Sequence, residues 1–435
     1  MLRKTLSFIS VLLLAATVAG AQNPDDGTAR PRSVGVVMSG GGAKGLYHIG
    51  VLEALEENGV PIDYVAGTSM GSIIAAMYAA GYSPAQMREI VASGVVKEWV
   101  SGRIDPRYTP YYQQIGHNPS FISVRLNLGN SGKRFRVTNL ISSTPIEMAL
   151  TELFAPASAA AGGDFDRLMV PFLCVSSDMN AREPVVMRNG DLCEAVRSSM
   201  SIPLVFKPMK VDSMLLYDGG IYDNFPWRPL DVGFRPDLIV GSICTAGNTP
   251  PGEDINILDQ AFMLAMHDTD YDLPKGRSVT VRRAVDVNML DFDSAVAVMD
   301  AGYEDAMAVM PQILERVSER WSPRRYAERR EEFRAKCPPL VFNDYKLEGL
   351  SSAPEAYIRD FVQVDRRTPG RQRPMGFAEL RDNLFEVLAG GEFSMGFPHV
   401  RYDSVQRRYA FEHDEFADGV GNGCATEQGT EKFED

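Results

Sequence analysis

The sequence predicts an α/β fold in which a mostly parallel sheet lies between helices, followed by a small β-α-α-β-β domain. Short apolar runs alternate with segments of helical periodicity between residues 33 and 245, and this alternation is typical of a parallel sheet that is covered on both faces. The order of elements changes after residue 338, which indicates a separate unit. Because ligands of open α/β sheets bind beyond the carboxyl ends of strands, we expect functional residues where the apolar runs end.

Five strands are predicted in the first unit. VGVVM (34–38) precedes a helix that starts near Ala43, in which apolar residues recur at helical spacing. YVAG (64–67) precedes a helix of small apolar residues that ends at Gly81. Later strands are predicted at MVPFLCVSS (169–177), LLYD (215–218) and LIVGSIC (238–244). Residues 100–145 are rich in aromatic residues, glycine and proline, and are predicted to form an insertion, which is either part of a binding cleft or a plain surface excursion.

The second unit is predicted from five consecutive patterns. PLVFNDYKLEGL indicates a strand, APEAYIRDFV and FAELRDNLFEVLAGG indicate two helices, and FPHVRYDS with RRYAFEH indicates a hairpin. The polar, glycine-rich stretch that follows is predicted to be a disordered tail. A charged helical stretch before this unit, interrupted at Pro323, is interpreted as an interdomain linker, although a solvated helix face explains its charge equally well.

The N-terminus has the features of a secretory signal peptide. Arg3 and Lys4 precede an apolar run, and Ala19-Gly20-Ala21 forms an A-x-A cleavage site. The alternative is a membrane anchor, but the run is short for a spanning helix of about 20 residues. The complete division is a signal peptide (1–21), a first domain (33–311, with its motifs in 35–230), a helical linker (312–337), a second domain (338–414) and a tail (415–435).

Composition and charge exclude some classes of function. The 435-residue chain has a net charge of −13, which argues against a nucleic-acid-binding protein because such a protein needs a basic face. Its five cysteines form no C-x-x-C pair, so a zinc or redox site is not expected. Cys174 and Cys244 lie in apolar strand-like runs and are predicted to be buried free thiols.

The glycine-rich segment SGGGAKG (39–45) follows the first strand and raises three possibilities: a phosphate loop, a dinucleotide loop or another use of bare backbone. Gly40, Gly42 and Gly45 match G-x-G-x-x-G, but the acidic residue that would hold a ribose about 20 positions later, after the next strand, is missing. A P-loop fails as well, because Lys44 is followed by glycine rather than by serine or threonine.

The second strand ends in Gly67-Thr68-Ser69-Met70-Gly71, which is G-x-S-x-G between a strand and a helix. This context is typical of a nucleophile elbow, a sharp turn that presents a serine hydroxyl at the end of a strand. Gly67 and Gly71 remove side chains that would clash in such a turn. The alternative is an ordinary serine N-cap of the following helix.

A serine nucleophile needs a base, and Asp218 is the preferred candidate. It ends the LLYD strand and is followed by Gly219 and Gly220, and a carboxylate paired directly with a serine can accept its proton. The alternative is an aspartate in a tight turn, since Asp-Gly is common there. The chain's histidines are candidates by position only, and a structural or surface role is expected for each: His48, His117, His267, His399 and His413.

SGGGAKG, GTSMG and DGG, in that order and on these elements, resemble the motifs of the patatin-like phospholipase family. The resemblance covers about residues 33–245 and includes DLCEAVRSSMSIPLVFKP (191–208). It implies a patatin-like three-layer fold and a lipid acyl hydrolase with Ser69 as nucleophile and Asp218 as base. It also implies oxyanion donors at Gly40, Gly41 and Gly42. Lys44 stands where many members have arginine, so its charge is kept without the forked geometry, and it either takes part or faces solvent. DGG replaces the commoner DGA of that family.

The second unit resembles a POTRA module, through KLEGL before its helices and LAGGEF after them. That resemblance implies a platform that binds an envelope protein by pairing strands at a sheet edge. The expected protein is therefore an exported acyl-ester hydrolase that is periplasmic, associated with the outer membrane or secreted. It is expected to touch a membrane surface transiently, to act on phospholipid or another acyl-ester lipid, and to need no metal, cofactor or nucleic acid. The alternative is an exported binding or assembly protein that retains the fold with little or no hydrolase activity.

Overall fold

The computed structural model describes residues 32–108, 141–249, 257–347, 374–389, 393–405, 407–413 and 417–418. The predicted signal peptide, most of the predicted insertion, the first predicted helix of the second domain and most of the predicted tail lie outside the described residues.

Five parallel strands form the centre of an eight-stranded sheet, in the order β3-β2-β1-β7-β8. Four of them correspond to predicted apolar runs, and the fifth, at one edge, had not been predicted. The strands are β1 (Val34–Met38), β2 (Tyr64–Thr68), β3 (Phe172–Asp178), β7 (Leu238–Ile243) and β8 (Ser278–Arg282). The prediction of a mixed α/β fold around a mostly parallel sheet is confirmed.

The other three strands are antiparallel and lie on the β3 side of the sheet. They are β4 (Glu183–Met187), β5 (Met209–Val211) and β6 (Met214–Asp218). The LLYD run was predicted as a strand and forms part of β6, with Asp218 as its last residue. Its direction, antiparallel to β3, had not been predicted. β4 and β5 had not been predicted.

Helices cover both faces of the sheet, and the residues of β1 show how. Val34, Val36 and Met38 are buried in the larger apolar cluster on one face. Val37 points to the other face, where it joins a smaller cluster with Phe225 and residues of a later helix. This alternation is the period-2 pattern of a strand; because both faces are buried, the strand reads as a continuous apolar run.

The helices of the first unit connect these strands. One of them, α2, is buried on nearly every side, which its small apolar residues allow. In chain order the helices are α1 (Tyr47–Glu57), α2 (Met70–Ala79), α3 (Pro84–Ala92), α4 (Val95–Ser101), α5 (Thr144–Ala161), α6 (Leu192–Ser199), α7 (Trp227–Phe234), α8 (Ile257–Ala265) and α9 (Ala295–Leu314).

The predicted linker contains the end of α9 and a separate helix, α10 (Pro323–Arg334), with Pro323 in its first turn. α10 lies against the first unit. The Tyr326 hydroxyl donates to the Val60 carbonyl at 2.6 Å, and Arg329 donates to the Met169 carbonyl at 2.7 Å. The linker assignment stays a prediction, but this helix is fixed to the sheet domain by contacts.

The second unit contains a four-stranded sheet with the order β10-β9-β13-β12. The predicted hairpin is present, since β12 pairs antiparallel with β13. A short pair joins β11 to β14, which lies inside the segment predicted as a tail. The elements are β9 (Val341–Leu347), β10 (Met375–Gly376), α11 (Phe377–Ala389), β11 (Phe393–Ser394), β12 (His399–Asp403), β13 (Arg408–His413) and β14 (Ala417–Asp418).

Candidate active site

The site forms where two strands meet end to end along one edge of β3. β4 pairs with β3 from Cys174 to Asp178 on one edge. β2 and β6 therefore share the other edge, where Thr68 pairs with Val175 and Asp218 pairs with the next residue, Ser176. Because β6 runs in the opposite direction, its carboxyl end faces the carboxyl end of β2. The residue after β2 and the last residue of β6 are thus brought together.

The two residues in question are Ser69 and Asp218. The Ser69 hydroxyl donates a hydrogen bond of 2.6 Å to Oδ2 of Asp218. Both side chains are buried, with 5% of Ser69 and 0% of Asp218 exposed. The contact has the length of a strong bond between a hydroxyl and a carboxylate. A nucleophile and a base at this distance have the geometry that proton transfer requires.

Ser69 sits in a strained turn between β2 and α2. Its backbone has φ 54° and ψ −124°, a region that residues with a Cβ rarely adopt. The turn brings chain segments so close that a Cβ on Gly67 would lie 2.3 Å from the Gly71 carbonyl oxygen, and one on Gly71 would lie 2.5 Å from the Met38 carbonyl oxygen. Close backbone packing therefore requires glycine at both positions, as the sequence predicted.

Asp218 is held by a second hydrogen bond and by burial. Its Oδ1 accepts from the N–H of Gly220 at 2.8 Å, and its own N–H donates to the Ser201 carbonyl at 2.9 Å. Burial raises the pKa of Asp218 from its ordinary value to about 7, although the hydrogen bonds from Ser69 and Gly220 act in the opposite direction. A Cβ on Gly219 would lie 2.1 Å from the Val175 carbonyl oxygen, so this turn also requires glycine.

The glycine loop lies beside Ser69, and its N–H groups differ in availability. A Cβ on Gly40 would lie 3.1 Å from the Cβ of Ser69, which places this loop at the nucleophile. The Gly40 N–H already donates to the Asn224 carbonyl at 3.1 Å. Outside the 3-10 helix that follows, no acceptor within the described ranges takes a hydrogen bond from the N–H of Gly41 or Gly42. Gly40 was predicted as an oxyanion donor, but its N–H is already bonded to Asn224, whereas the N–H groups of Gly41 and Gly42 remain available.

Close packing fixes the shape of this loop. A Cβ on Gly42, whose φ is 57°, would lie 2.3 Å from the Met289 carbonyl oxygen, and one on Gly41 would lie 2.9 Å from Sγ of Cys244. A Cβ on Gly45 would lie 2.5 Å from the Met70 side chain. Each of these three glycines thus allows a neighbouring residue to pack directly against the backbone of the loop.

The start of the first helix differs from the prediction. A 3-10 helix spans Gly42–Leu46, and α1 begins only at Tyr47. The α-helix therefore starts four residues after Ala43, and the 3-10 helix occupies the position predicted for its positive end. Lys44 is half-buried within the 3-10 helix. Burial raises the pKa of the Cys244 thiol to about 11, and the charge of Lys44 acts in the opposite direction.

The hydrogen bonds of the Ser69 hydroxyl and N–H go to Asp218 and Ser199, and the histidines whose surroundings the structure describes have other partners. His48 is fully buried between the Ser242 hydroxyl at 2.7 Å and the Ser39 carbonyl at 2.8 Å. Burial lowers its pKa to about 4. His267 packs beside Tyr222, and His399 pairs with Glu194 at 2.7 Å. His117 lies outside the described residues. The described cysteines are free, and Cys174 and Cys244 are buried as predicted.

Two residues of the site were missed by sequence reasoning. The Ser199 hydroxyl accepts a hydrogen bond of 3.0 Å from the Ser69 N–H. The Asn224 carbonyl accepts from Gly40, and its amide nitrogen donates to the Tyr271 hydroxyl at 3.0 Å. Ser199 lies within the stretch 191–208 that carried part of the family resemblance, which was the available signal. Asn224 follows the DGG motif closely but matched no pattern. Within the described ranges, no cluster of three or more histidine, cysteine, aspartate or glutamate side chains could hold a metal ion.

Comparison with known proteins identifies the region of the chain in which this site lies. Residues 36–231 match the family model described as patatin-like phospholipase, and this range contains both Ser69 and Asp218. The chain therefore carries a patatin-like phospholipase domain.

Similar proteins include a bacterial one and a fungal one. An uncharacterised NTE family protein of Mycobacterium tuberculosis is 28% identical over 228 residues, which cover 52% of this chain and 53% of that protein. Lysophospholipase NTE1 of Cryptococcus neoformans is 30% identical over 220 residues, which cover 51% of this chain and 12% of that protein. The match thus spans about half the length of the mycobacterial relative and a small part of the fungal one.

Among solved structures, VipD from Legionella pneumophila is similar over 65% of this chain and 67% of that chain, with a TM-score of 0.36 and 14% identity. Human GIVD cytosolic phospholipase A2 is similar over 69% of this chain and 60% of that chain, with a TM-score of 0.32 and 12% identity.

Proposed function

We propose that this protein is a lipid acyl hydrolase that cleaves carboxylic esters with a Ser69–Asp218 dyad. The observation that carries the proposal is the buried hydrogen bond of 2.6 Å between the Ser69 hydroxyl and Asp218. The family match of residues 36–231 supports the class of substrate.

The reaction proceeds through an acyl-enzyme. Oγ of Ser69 attacks the ester carbonyl carbon while its proton moves to Oδ2 of Asp218. The tetrahedral intermediate collapses, the ester C–O bond breaks, and Asp218 returns the proton to the departing alcohol. Water then attacks the acyl group on Ser69 and gives a proton to Asp218. Release of the fatty acid returns that proton to Oγ of Ser69, so both residues recover their starting state.

The oxyanion of both tetrahedral intermediates is assigned to the N–H groups of Gly41 and Gly42. Their lack of an acceptor in the described part of the chain supports this role, whereas the bond from Gly40 to Asn224 argues for Gly40 as a support of the loop. Backbone donors that are held in place before the reaction stabilise a developing negative charge, and the loss of one such donor costs about 3–4 kcal/mol in known hydrolases. Lys44 adds a positive charge near this loop.

The raised pKa of Asp218 suits a general base. A carboxylate with an ordinary pKa near 4 is a weak proton acceptor, and a base is most effective when its pKa lies near the working pH. Burial raises the pKa of Asp218 to about 7, so at neutral pH a substantial fraction is ionised and still basic.

The proposal is tested by the hydrolysis of a medium-chain p-nitrophenyl ester and of a phospholipid by the wild type and Ser69→Ala. We expect the variant to lose activity roughly a thousandfold or more, because it lacks the hydroxyl that attacks the ester. Ser93→Ala is the control, since the Ser93 hydroxyl donates to the Ile90 carbonyl at 2.7 Å and its loss leaves the hydrogen bonds of the Ser69 turn intact. Full activity in Ser69→Ala contradicts the proposal, and an inactive wild type favours a binding or assembly protein.

We further propose, from the sequence alone, that the protein is exported and that residues 338–414 form a POTRA-like unit for an envelope partner. A lipid surface would be a transient partner of the hydrolase. No helix within the described ranges is long and apolar enough to cross a bilayer. Mass spectrometry of the mature N-terminus tests the export proposal: it predicts cleavage after Ala21, and an intact Met1 in the exported fraction contradicts it.

A further inference from the structure

The last turn of α6 contacts both halves of the dyad. This turn, residues 197–201, comprises the last three residues of the helix Leu192–Ser199 and the two residues after it, and it is fully buried at Arg197, Ser198, Ser199 and Ser201. Such burial of polar side chains is costly unless each one has a partner. The partners therefore indicate what the turn does.

Ser199 links the nucleophile to the sheet. Its hydroxyl accepts from the Ser69 N–H at 3.0 Å and donates to the Val175 carbonyl at 2.6 Å. Val175 pairs in β3 with Thr68, the residue before Ser69. The hydroxyl thus joins the strained residue to the strand beside it. A backbone in an unfavourable φ/ψ region persists only when its surroundings fix it.

Ser201 and Arg197 act on the other half. The Ser201 carbonyl accepts from the N–H of Asp218 at 2.9 Å. Nη1 of Arg197 donates to the Ser201 hydroxyl at 2.6 Å, and Nε donates to Glu147 of α5 at 3.0 Å. The guanidinium is fully buried, and removing one partner of such a pair would leave an uncompensated charge. The turn is therefore rigidly anchored where it meets Asp218.

We propose that Ser199 is a positioning residue, which holds the Ser69 turn so that Oγ of Ser69 faces Oδ2 of Asp218. This inference rests on the proposed hydrolase function and assigns to Ser199 no contact with substrate. Because a displacement of about 1 Å can reduce a rate about a hundredfold, the loss of this one contact lowers the rate of acylation without removing the nucleophile.

The test compares Ser199→Ala with Ser198→Ala. The neighbouring Ser198 hydroxyl is equally buried but has no hydrogen-bond partner within the described residues, so its removal controls for the loss of a buried oxygen in this turn. On a p-nitrophenyl ester, we expect Ser199→Ala to lower kcat about tenfold with an unchanged KM, and Ser198→Ala to retain wild-type kcat.

A second readout separates positioning from general loosening. Ser199 does not touch Asp218, so the acid limb of the pH–rate profile should stay where it lies in the wild type. A limb displaced to lower pH would mean that water has reached Asp218, and it would overturn the proposal. Ser199→Cys covers the case in which Ser199→Ala does not fold, because a thiol fills the space with only weak hydrogen bonding; the same drop in kcat is expected.

The outcomes distinguish the two proposals. Equal kcat in the Ser199 and Ser198 variants, whether both are normal or both are reduced, overturns the positioning role while the wild type still hydrolyses ester. A wild type that hydrolyses no ester overturns the hydrolase proposal itself, and the positioning role falls with it.

Discussion

The two partners of the dyad are constrained in different ways. Ser69 has an unfavourable backbone, with φ 54°, but its side chain is neutral. Asp218 has an extended backbone, but its carboxylate is fully buried. No cation within the described residues contacts this carboxylate, and burial raises its pKa to about 7. The cost at one partner is conformational, and the cost at the other is electrostatic. Substitutions that remove each cost should therefore have separable effects on stability and on rate.

The largest expected effect is on catalysis through Asp218. We expect Asp218→Asn to lower kcat/KM by about 10²–10⁴-fold, because an amide cannot accept the Ser69 proton. The measurement is the hydrolysis of a p-nitrophenyl ester at saturating and limiting concentrations.

Asp223→Asn is the matched control for that change. Asp223 follows the same strand, and burial raises its pKa to about 6, yet its side chain accepts a hydrogen bond from the Phe225 N–H at 3.2 Å and does not contact Ser69. Its variant should keep activity within a few-fold of the wild type. Equal losses in the two variants would contradict the assignment of Asp218 as the base.

The second effect is on stability and depends on pH. Because the pKa of Asp218 is raised in the folded protein, its contribution to stability is fully present below its ordinary value of 3.8 and is lost as pH rises toward about 7. Asp218→Asn removes this loss of stability, because an amide does not ionise. The free energy of unfolding of the variant, relative to the wild type, should thus increase between pH 4 and pH 8, by at most about 4 kcal/mol. Denaturant unfolding at several pH values measures it, and a parallel pH dependence in both proteins would count against a buried, titrating Asp218.

The third effect is the position of the acid limb. The wild-type kcat/KM should rise with pH and level off above a midpoint near 7, since the ionised carboxylate is the active form. Steady-state kinetics from pH 5 to pH 9 with a neutral ester gives the midpoint. A limb near pH 4 would indicate a solvated carboxylate and would contradict the electrostatic cost assigned to Asp218.

The smallest expected effect is on stability and arises from the strained backbone of Ser69. Ser69→Gly should be more stable than Ser69→Ala by about 1 kcal/mol, because glycine accepts φ 54° without strain and part of that gain is offset by its greater freedom in the unfolded chain. Both variants lack the hydroxyl, so the difference isolates the backbone. Chemical denaturation of the pair measures it, and a less stable Ser69→Gly would show that the turn is not strained.

The contact between Ser69 and Asp218 could be predicted from the sequence, whereas the catalytic roles of these two residues stay predictions. Gly67, Ser69 and Gly71 were identified from local chemistry, because a sharp turn between a strand and a helix demands small residues. Asp218 was selected because it ends a strand and is followed by Gly219 and Gly220, and because the family resemblance assigns the base to this position. These inferences depend on residue type and chain order, which the sequence carries directly.

Strand direction and the support of the site could not be read in the same way. The run that ends at Asp218 has the same apolar character whether it lies parallel or antiparallel to β3, so the sequence did not indicate the direction of β6. Ser199 looks like any serine near a helix end, and only the fold shows that its hydroxyl reaches the Ser69 N–H. The Gly40 N–H looked available because its acceptor, the Asn224 carbonyl, lies 184 positions later in the sequence.

The most direct test of the dyad is covalent labelling with a fluorophosphonate, followed by peptide mapping in the wild type, Asp218→Asn and Asp223→Asn. The probe reports an activated serine without reference to any lipid. We predict a single adduct on Ser69 in the wild type and in Asp223→Asn, and strongly reduced labelling in Asp218→Asn. An adduct on another residue, or equal labelling of Ser69 in all three proteins, would contradict the Ser69–Asp218 dyad.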